Sequence, residues 1–279
     1  LTLKILIYSD PYQKWVDAFK KLNVEVKQVM FENTEVVYDS DKEKLEISIL
    51  GDKKYSFDGI LWRVAHVRPF KFFFQTLYTV KLSNIPTLNN VDCIIKCSNK
   101  LMVYSFLKKL KLPLISLKVY STGRMLPLAA PQIPCVVKVG TYHAGLNKFL
   151  VTDGRQWNDL KSMVETMEDF VVIEPYIEVE EDIRLIKIGD EIYGLKRKGV
   201  FWKSNLYPES IEFFPVDEEM NEMVWKASEI FEADVCALDL LIDKKGNIHI
   251  LEFVDVPGFE FLPHAYDKVA KMMVKKIKH

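Results

Sequence analysis

An α/β fold is predicted by three features of this 279-residue sequence. Short apolar strands alternate with helical patterns through its first part. A β-branched run ends in Lys138 and turns through Gly140 and Gly145. Two late apolar runs each carry a carboxylate, Asp239 and Glu252. With 49% hydrophobic and 28% charged residues, the chain can bury a sizeable core in one large or two to three small domains. A net charge of -1 offers no electrostatic footprint for nucleic acid or an anionic membrane. No apolar run approaches the ~20 residues that span a bilayer. Leu1 to Tyr8 reads as a strand rather than a signal peptide, so a cytoplasmic protein without a membrane span is expected.

Lys4 to Tyr8 is the first strand, and Trp15, Phe19 and Leu22 mark the helix after it. Val24 to Phe31 reads as a second strand. Ile60-Leu61-Trp62-Arg63-Val64 forms a third, beyond a polar hairpin around Gly51-Asp52. Pro86 and Asn89-Asn90 interrupt the pattern, and Ile94 to Leu110 resumes it as one helix. The stretch Pro113 to Pro134 is apolar and proline-punctuated and leads into the Lys138 hairpin. Trp157 to Met167 is helical, and Phe170 to Ile173 is a strand running into Glu174-Pro175-Tyr176-Ile177. Pro175 lacks a backbone donor, so the strand ladder is expected to stop there. Arg184 to Ile188 and Glu191 to Arg197 pair across Gly189-Asp190, Glu218 to Phe231 is a helix, and Leu238 to Ile242 and Ile248 to Phe253 turn at Lys244 to Asn247. Cys93, Cys97, Cys135 and Cys236 have no zinc-site spacing and read as buried thiols, with Cys93 and Cys97 on one helix face.

The Val136 to Leu150 segment has the form of a strand-loop-strand phosphate clamp. Glycines let backbone N–H groups approach an anion, and two lysines flank it. Lys138 interrupts an apolar β run, where an unpaired ammonium is expensive to bury, so it requires an anion.

Lys100 at a helix start, Lys138 in a glycine hairpin, Glu174-Pro175-Tyr176-Ile177, Asp182-Ile183-Arg184, Arg197, Asp239 and Glu252 together resemble the ATP-grasp superfamily in its RimK-like branch. Lys187-Ile188-Gly189, Trp202-Lys203-Ser204-Asn205 and Asp234-Val235-Cys236-Ala237 make the wording most similar to the synapsin central domain. The resemblance implies an N-terminal parallel-sheet domain over residues 1–92, a small lobe with the phosphate hairpin over 93–173, and a C-terminal lobe over 174–279. It implies ATP with Mg2+, or Mn2+ in its place, and a homodimer or higher homo-oligomer.

On that resemblance, Lys100 and Lys138 would bracket the nucleotide phosphates. Gly140 to Lys148, with His143, Gly145 and Lys148, would form a lid. Glu174, Tyr176 and Ile177 would read adenine at a hinge, and Asp182 would accept from the ribose. Arg184, Arg197 and Lys203 are the cations for the transferring phosphate or an acidic substrate, and Asn205 sits on a second closing loop. Lys100 taken alone reads as a solvated surface charge, and a solvated turn is the commoner fate of an acidic run such as Glu178 to Asp182. Asp239 and Glu252 end apolar β runs and could share a metal, with Asp255 a third donor if the chain bends before Pro257-Gly258. RimK-like ligases usually carry Glu-x-Asn where this sequence has Val254.

Two functions follow. The first, as the resemblance implies, is an ATP-dependent RimK-like carboxylate-amine ligase of glutamate or another amino acid, acting through an acyl phosphate on unidentified carboxylate and amine substrates. The alternative is a synapsin-like nucleotide-binding protein whose loops or oligomer are ordered without turnover.

Overall fold

The computed structural model describes residues 2–39, 44–49, 54–64, 70–140, 145–167, 169–199, 202–203, 208–262 and 264–278. The chain opens with β1 (Lys4–Tyr8), α1 (Gln13–Lys20) and β2 (Glu25–Val29). It then inserts a sheet that the sequence reading did not separate, β3 (Thr34–Asp39), β4 (Lys44–Ile49) and β5 (Lys54–Tyr55), all antiparallel. β6 (Gly59–Trp62), α2 (Phe70–Leu82) and β7 (Thr87–Leu88) complete a parallel sheet of order β2-β1-β6-β7. Ile5, Leu6, Ile7 and Tyr8 are all fully buried, because a central parallel strand is covered on both faces. Leu45 and Ile47 from the inserted sheet join Tyr8, Phe31, Trp62 and Phe73 in one aromatic-rich core.

The single helix expected over 94–110 is two, α3 (Val91–Cys97) and α4 (Lys100–Lys109). Two asparagines cause the break. The Asn90 side chain accepts from Cys93 N, and Asn99 accepts from Leu101 N and Met102 N, so each starts its own helix. Lys100 thereby becomes the first residue of α4.

β8 (Lys118–Tyr120), β9 (Cys135–Val139), β10 (Lys148–Val151), α5 (Gly154–Val164) and β11 (Val171–Pro175) follow, with an antiparallel sheet of order β10-β9-β11-β8. Asp153 caps α5, which therefore begins before Trp157. The ladder does not stop at Pro175. Pro175 is paired with Cys135, and the next N–H, that of Tyr176, donates to Pro134 O at 3.2 Å. Proline's missing donor matters only on the side of a strand that needs one, and here the adjacent peptide supplies the bond.

The last part holds β12 (Val179–Ile188), β13 (Glu191–Gly199), β14 (Pro208–Phe214), α6 (Glu218–Phe231), β15 (Val235–Asp243), β16 (Ile248–Val254) and α7 (Ala265–Lys278). Its strands form an antiparallel sheet of order β14-β13-β12-β15-β16. One face packs on α6 and α4 through Val224, Ala227, Phe231, Val103 and Leu107. The other shares a core with the parallel sheet, where Ile186 and Val235 meet Ile5, Ile7, Val269 and Met273 of α7. At Gly59, α7 packs directly on the backbone, and a Cβ would lie 2.3 Å from Met273 Cε, so that side chain would have to shift. No helix among the described residues is long and apolar enough to cross a membrane.

Candidate functional site

A cleft of about 420 Å³ opens between the β10-β9-β11-β8 sheet and the five-stranded sheet. Its walls come from strand registers. Lys138 on β9 stands directly across from Lys148 on β10, so both ammonium groups reach the same end of the cleft. Lys100, at the start of α4, enters from the other side. Glu252 on β16 lies 3.4 Å from Lys100 and 3.9 Å from Lys148, while Lys138 is ion-paired with Glu174, which is 2% exposed. Among the described residues, three ammonium groups thus converge around Glu252 and Glu174.

The lysines titrate accordingly. Burial, then the Lys100 charge, pulls Lys138 down to about 8 against the attraction of Glu174. Burial lowers Lys148 as well, with Glu252 opposing. Burial also acts on Lys100, but Glu252 and Glu174 together outweigh it and raise its pKa. A polyphosphate is the type of ligand that would relieve such crowding.

Tyr104 was not singled out from the sequence, although it lies one helical turn beyond Lys100 on α4. Its hydroxyl is placed to donate to Leu251 O and lies 3.3 Å from Glu174 Oε1. It thus ties α4 to the strand that carries Glu252.

The opposite end of the cleft is apolar. Val136, Ile115, Leu241 and Leu251 line it with Pro175, Tyr176 and Ile177. Tyr176 N–H is occupied by Pro134 O, so this amide is not the one that reads a ligand here.

Asp182, Arg184, Arg197 and Asp239 form one cross-strand lattice on the sheet. Asp182 and Arg184 share a face of β12, Arg197 is the register partner of Asp182, and Asp239 is that of Arg184. Arg184 holds Asp239 with Nε and Nη2, each at 2.7 Å. Arg197 donates to Asp182 at 3.0 and 2.5 Å and reaches Asp239 at 3.3 Å. Both guanidinium groups, expected to face an anionic substrate, are thus engaged with carboxylates of the sheet. Burial raises the Asp239 pKa, but Arg184 and Arg197 outweigh it and hold it below its ordinary value. Burial works against the Arg184 charge, and Asp239 more than compensates, leaving its pKa raised.

Asp239 is the register partner of Glu252, and a bulge follows between Asp239 and Leu240. No group of three or more His, Cys, Asp or Glu side chains among the described residues is arranged to hold a metal, and the third donor expected was Asp255. It lines a smaller cavity of about 30 Å³ beside Lys100 and Lys138, where burial pushes its carboxyl up to about 7. Two opposed carboxylates remain, which suits an ion that completes its shell with phosphate and water.

Lys203 Nζ donates to Gly145 O at 3.0 Å and lies 5.1 Å from the Trp202 ring, joining residues 202–203 to the hairpin tip. Gly140 and Gly145 adopt φ of 67° and 71°, the left-handed region that glycine enters without strain. His143 and Asn205 lie outside the described residues.

The family model for the synapsin ATP-binding domain matches residues 85–276. Synapsin of Drosophila melanogaster is 25% identical over 195 residues, 65% of this chain and 19% of that protein, so the chain spans a minor part of that relative. Glutamate–LysW ligase ArgX of Sulfolobus acidocaldarius is 26% identical over 234 residues, 77% of this chain and 82% of that one. Among solved structures, the RimK domain ATP-grasp protein of Sphaerobacter thermophilus superposes with a TM-score of 0.71 at 13% identity, covering 97% of this chain and 99% of the other. The fold is that of the ATP-grasp proteins.

Proposed function

The chain belongs to the synapsin ATP-binding domain family, and from that premise we propose that it is an ATP-dependent carboxylate-amine ligase. The observation that carries the reading is the convergence of Lys100, Lys138 and Lys148 at one end of the cleft, beside the opposed pair Asp239 and Glu252. Lys100, Lys138 and Lys148 would hold the phosphates, and the apolar slot at Tyr176 and Ile177 the base. Asp239 and Glu252 would hold Mg2+, which when bound supplies charge neutralisation of phosphate oxygens.

In this reading the protein contributes position and field rather than a nucleophile. Lys138 steadies the phosphate being transferred to a substrate carboxylate, and an amine then displaces it from the acyl phosphate. Glu174, gripped by Lys138 and placed near Tyr104, keeps the ammonium aimed. The Arg184 and Arg197 lattice fixes Asp239 in one rotamer. Lys203, bonded to Gly145, would join the segment at 202–203 to the β9–β10 connection beside the cleft and help exclude water.

A nucleotide-binding role without turnover is favoured by one observation. Val254 ends β16 where RimK-like ligases carry asparagine, and it packs toward the α7 core, offering no metal ligand. ADP release measured against pools of amino acids and acidic metabolites separates the two. Substrate-dependent release supports the ligase, and tight ATP binding with no release from any pool supports the alternative.

A further inference from the structure

Arg63 is the first residue past the carboxyl end of β6, and its N–H continues the ladder to Tyr8 O at 2.9 Å. The parallel sheet grows from β1 to β2 on one side and carries β6 and β7 on the other, so strand order reverses between β1 and β6. Open parallel sheets take ligands outside the carboxyl ends of their strands at such a reversal. Arg63 occupies that place.

Its guanidinium is fixed but underused. The Phe259 and Trp15 rings lie 4.5 and 5.3 Å from its central carbon, and of its five N–H donors one is given to Pro257 O. Among the described residues it forms no ion pair with a carboxylate, whereas Arg184 and Arg197 both do. Burial draws its pKa down to about 10 although Tyr266, Asp255 and Glu260 oppose the shift. Pro257 lies on the segment leaving β16, shortly after Glu252, so the remaining donors sit near the chain that leaves the phosphate end of the cleft.

We infer that Arg63 binds a carboxylate of the ligase substrate, one distal to the reacting group. This rests on the ligase reading. A planar fork with free donors matches a carboxylate held by two parallel bonds, and the aromatic walls fix the plane in which it is received.

The test is thermal denaturation of the whole chain with Mg2+ and a non-hydrolysable ATP analogue. The probes are the proteinogenic L-amino acids, the dicarboxylates from malonate to adipate, the amides of both sets, and inorganic phosphate. At least one carboxylate should raise the wild-type Tm while its amide does not. Which set responds tells an amino acid from a dicarboxylic acid. In R63Q the apparent affinity for that carboxylate should fall by at least about tenfold while affinity for the analogue changes by less than about twofold. R63K keeps the charge without the fork and should fall between. Absence of any carboxylate effect on the wild type, a response to phosphate alone, or an undiminished carboxylate effect in R63Q would each overturn the inference. A purely structural Arg63 would lower the unliganded Tm of R63Q and leave the carboxylate effect intact. Failure of the analogue to stabilise the wild type would instead overturn the ligase reading, and the inference with it.

Discussion

Asp239 stands directly opposite Glu252 on neighbouring antiparallel strands, yet the two carboxylates answer to different cations: arginines of the sheet for the first, lysines of the nucleotide end for the second. Glu252 is therefore the member whose partners change when an anion arrives. Glu252→Gln keeps the shape and removes the charge. Titrations of ATP with and without Mg2+ should show an affinity nearly indifferent to the ion in the variant and dependent on it in the wild type.

Lys138→Ala removes an ammonium from the strand wall. Charge-assisted contacts to phosphate contribute roughly 1.5–3 kcal/mol each, so ATP affinity should drop by about tenfold or more. Calorimetry on a variant with wild-type circular dichroism decides this. Unchanged affinity would remove Lys138 from the phosphate site.

Because Lys138 titrates near 8 rather than near its ordinary 10.5, pH acts on binding and on stability with opposite signs. Between these values the folded, unliganded protein binds fewer protons than the unfolded chain, so this group's contribution to stability rises with pH. Phosphate favours the charged ammonium, so ATP affinity should fall as pH climbs from 7 to 9. Binding near pH 8 should take up protons. Calorimetry in two buffers of different ionisation enthalpy measures that uptake, and K138A should lose it.

Arg197→Ala would leave Asp182, which is 8% exposed, without its guanidinium partner and Asp239 with Arg184 alone. Breaking a buried pair from one side costs about 3 kcal/mol or more. The urea midpoint should move down accordingly, while R197K should recover only part because the bond at Nε and the reach to Asp239 need the fork.

The bond from Lys203 to Gly145 O joins two segments of low apolar content. Amide exchange over 140–148 and 200–207 should slow on addition of ATP and Mg2+, with Lys4–Tyr8 little changed. Equal protection with and without nucleotide would indicate a cleft that is already closed.

Much of the fold was legible because its signals are local. The turn at Gly189-Asp190, the helix Glu218–Phe231 and the opposed Asp239 and Glu252 all follow from period and spacing. The polar hairpin read around Gly51-Asp52, residues outside those described, falls between β4 and β5, but β3 was not separated from it although Leu45, Ile47 and Ile49 alternate with polar residues. Lys138 could be found from its own strand, since an ammonium inside an apolar β run announces its need, whereas Lys100 rested on the resemblance. The arginine lattice could not. Whether Arg184 and Arg197 meet a substrate or a neighbouring carboxylate depends on which strands lie side by side, and that is decided by pairing between segments distant in sequence. Arg63 and Tyr104 escaped for the same reason.

The packing of α7 on the first strands ties the chain's opening segment to its last helix. Ile5 and Ile7 reach their full set of neighbours only when Val269, Ala270 and Met273 arrive. A contact map so dominated by distant pairs slows folding, because long segments must be brought together before they stabilise one another. During synthesis β1 is made before α7, so the α7-facing side of the parallel sheet stays uncovered until that helix has emerged. A strand fully buried from Ile5 to Tyr8 is open to aggregation in that interval, and chaperone dependence in the cell would be set there rather than at the cleft.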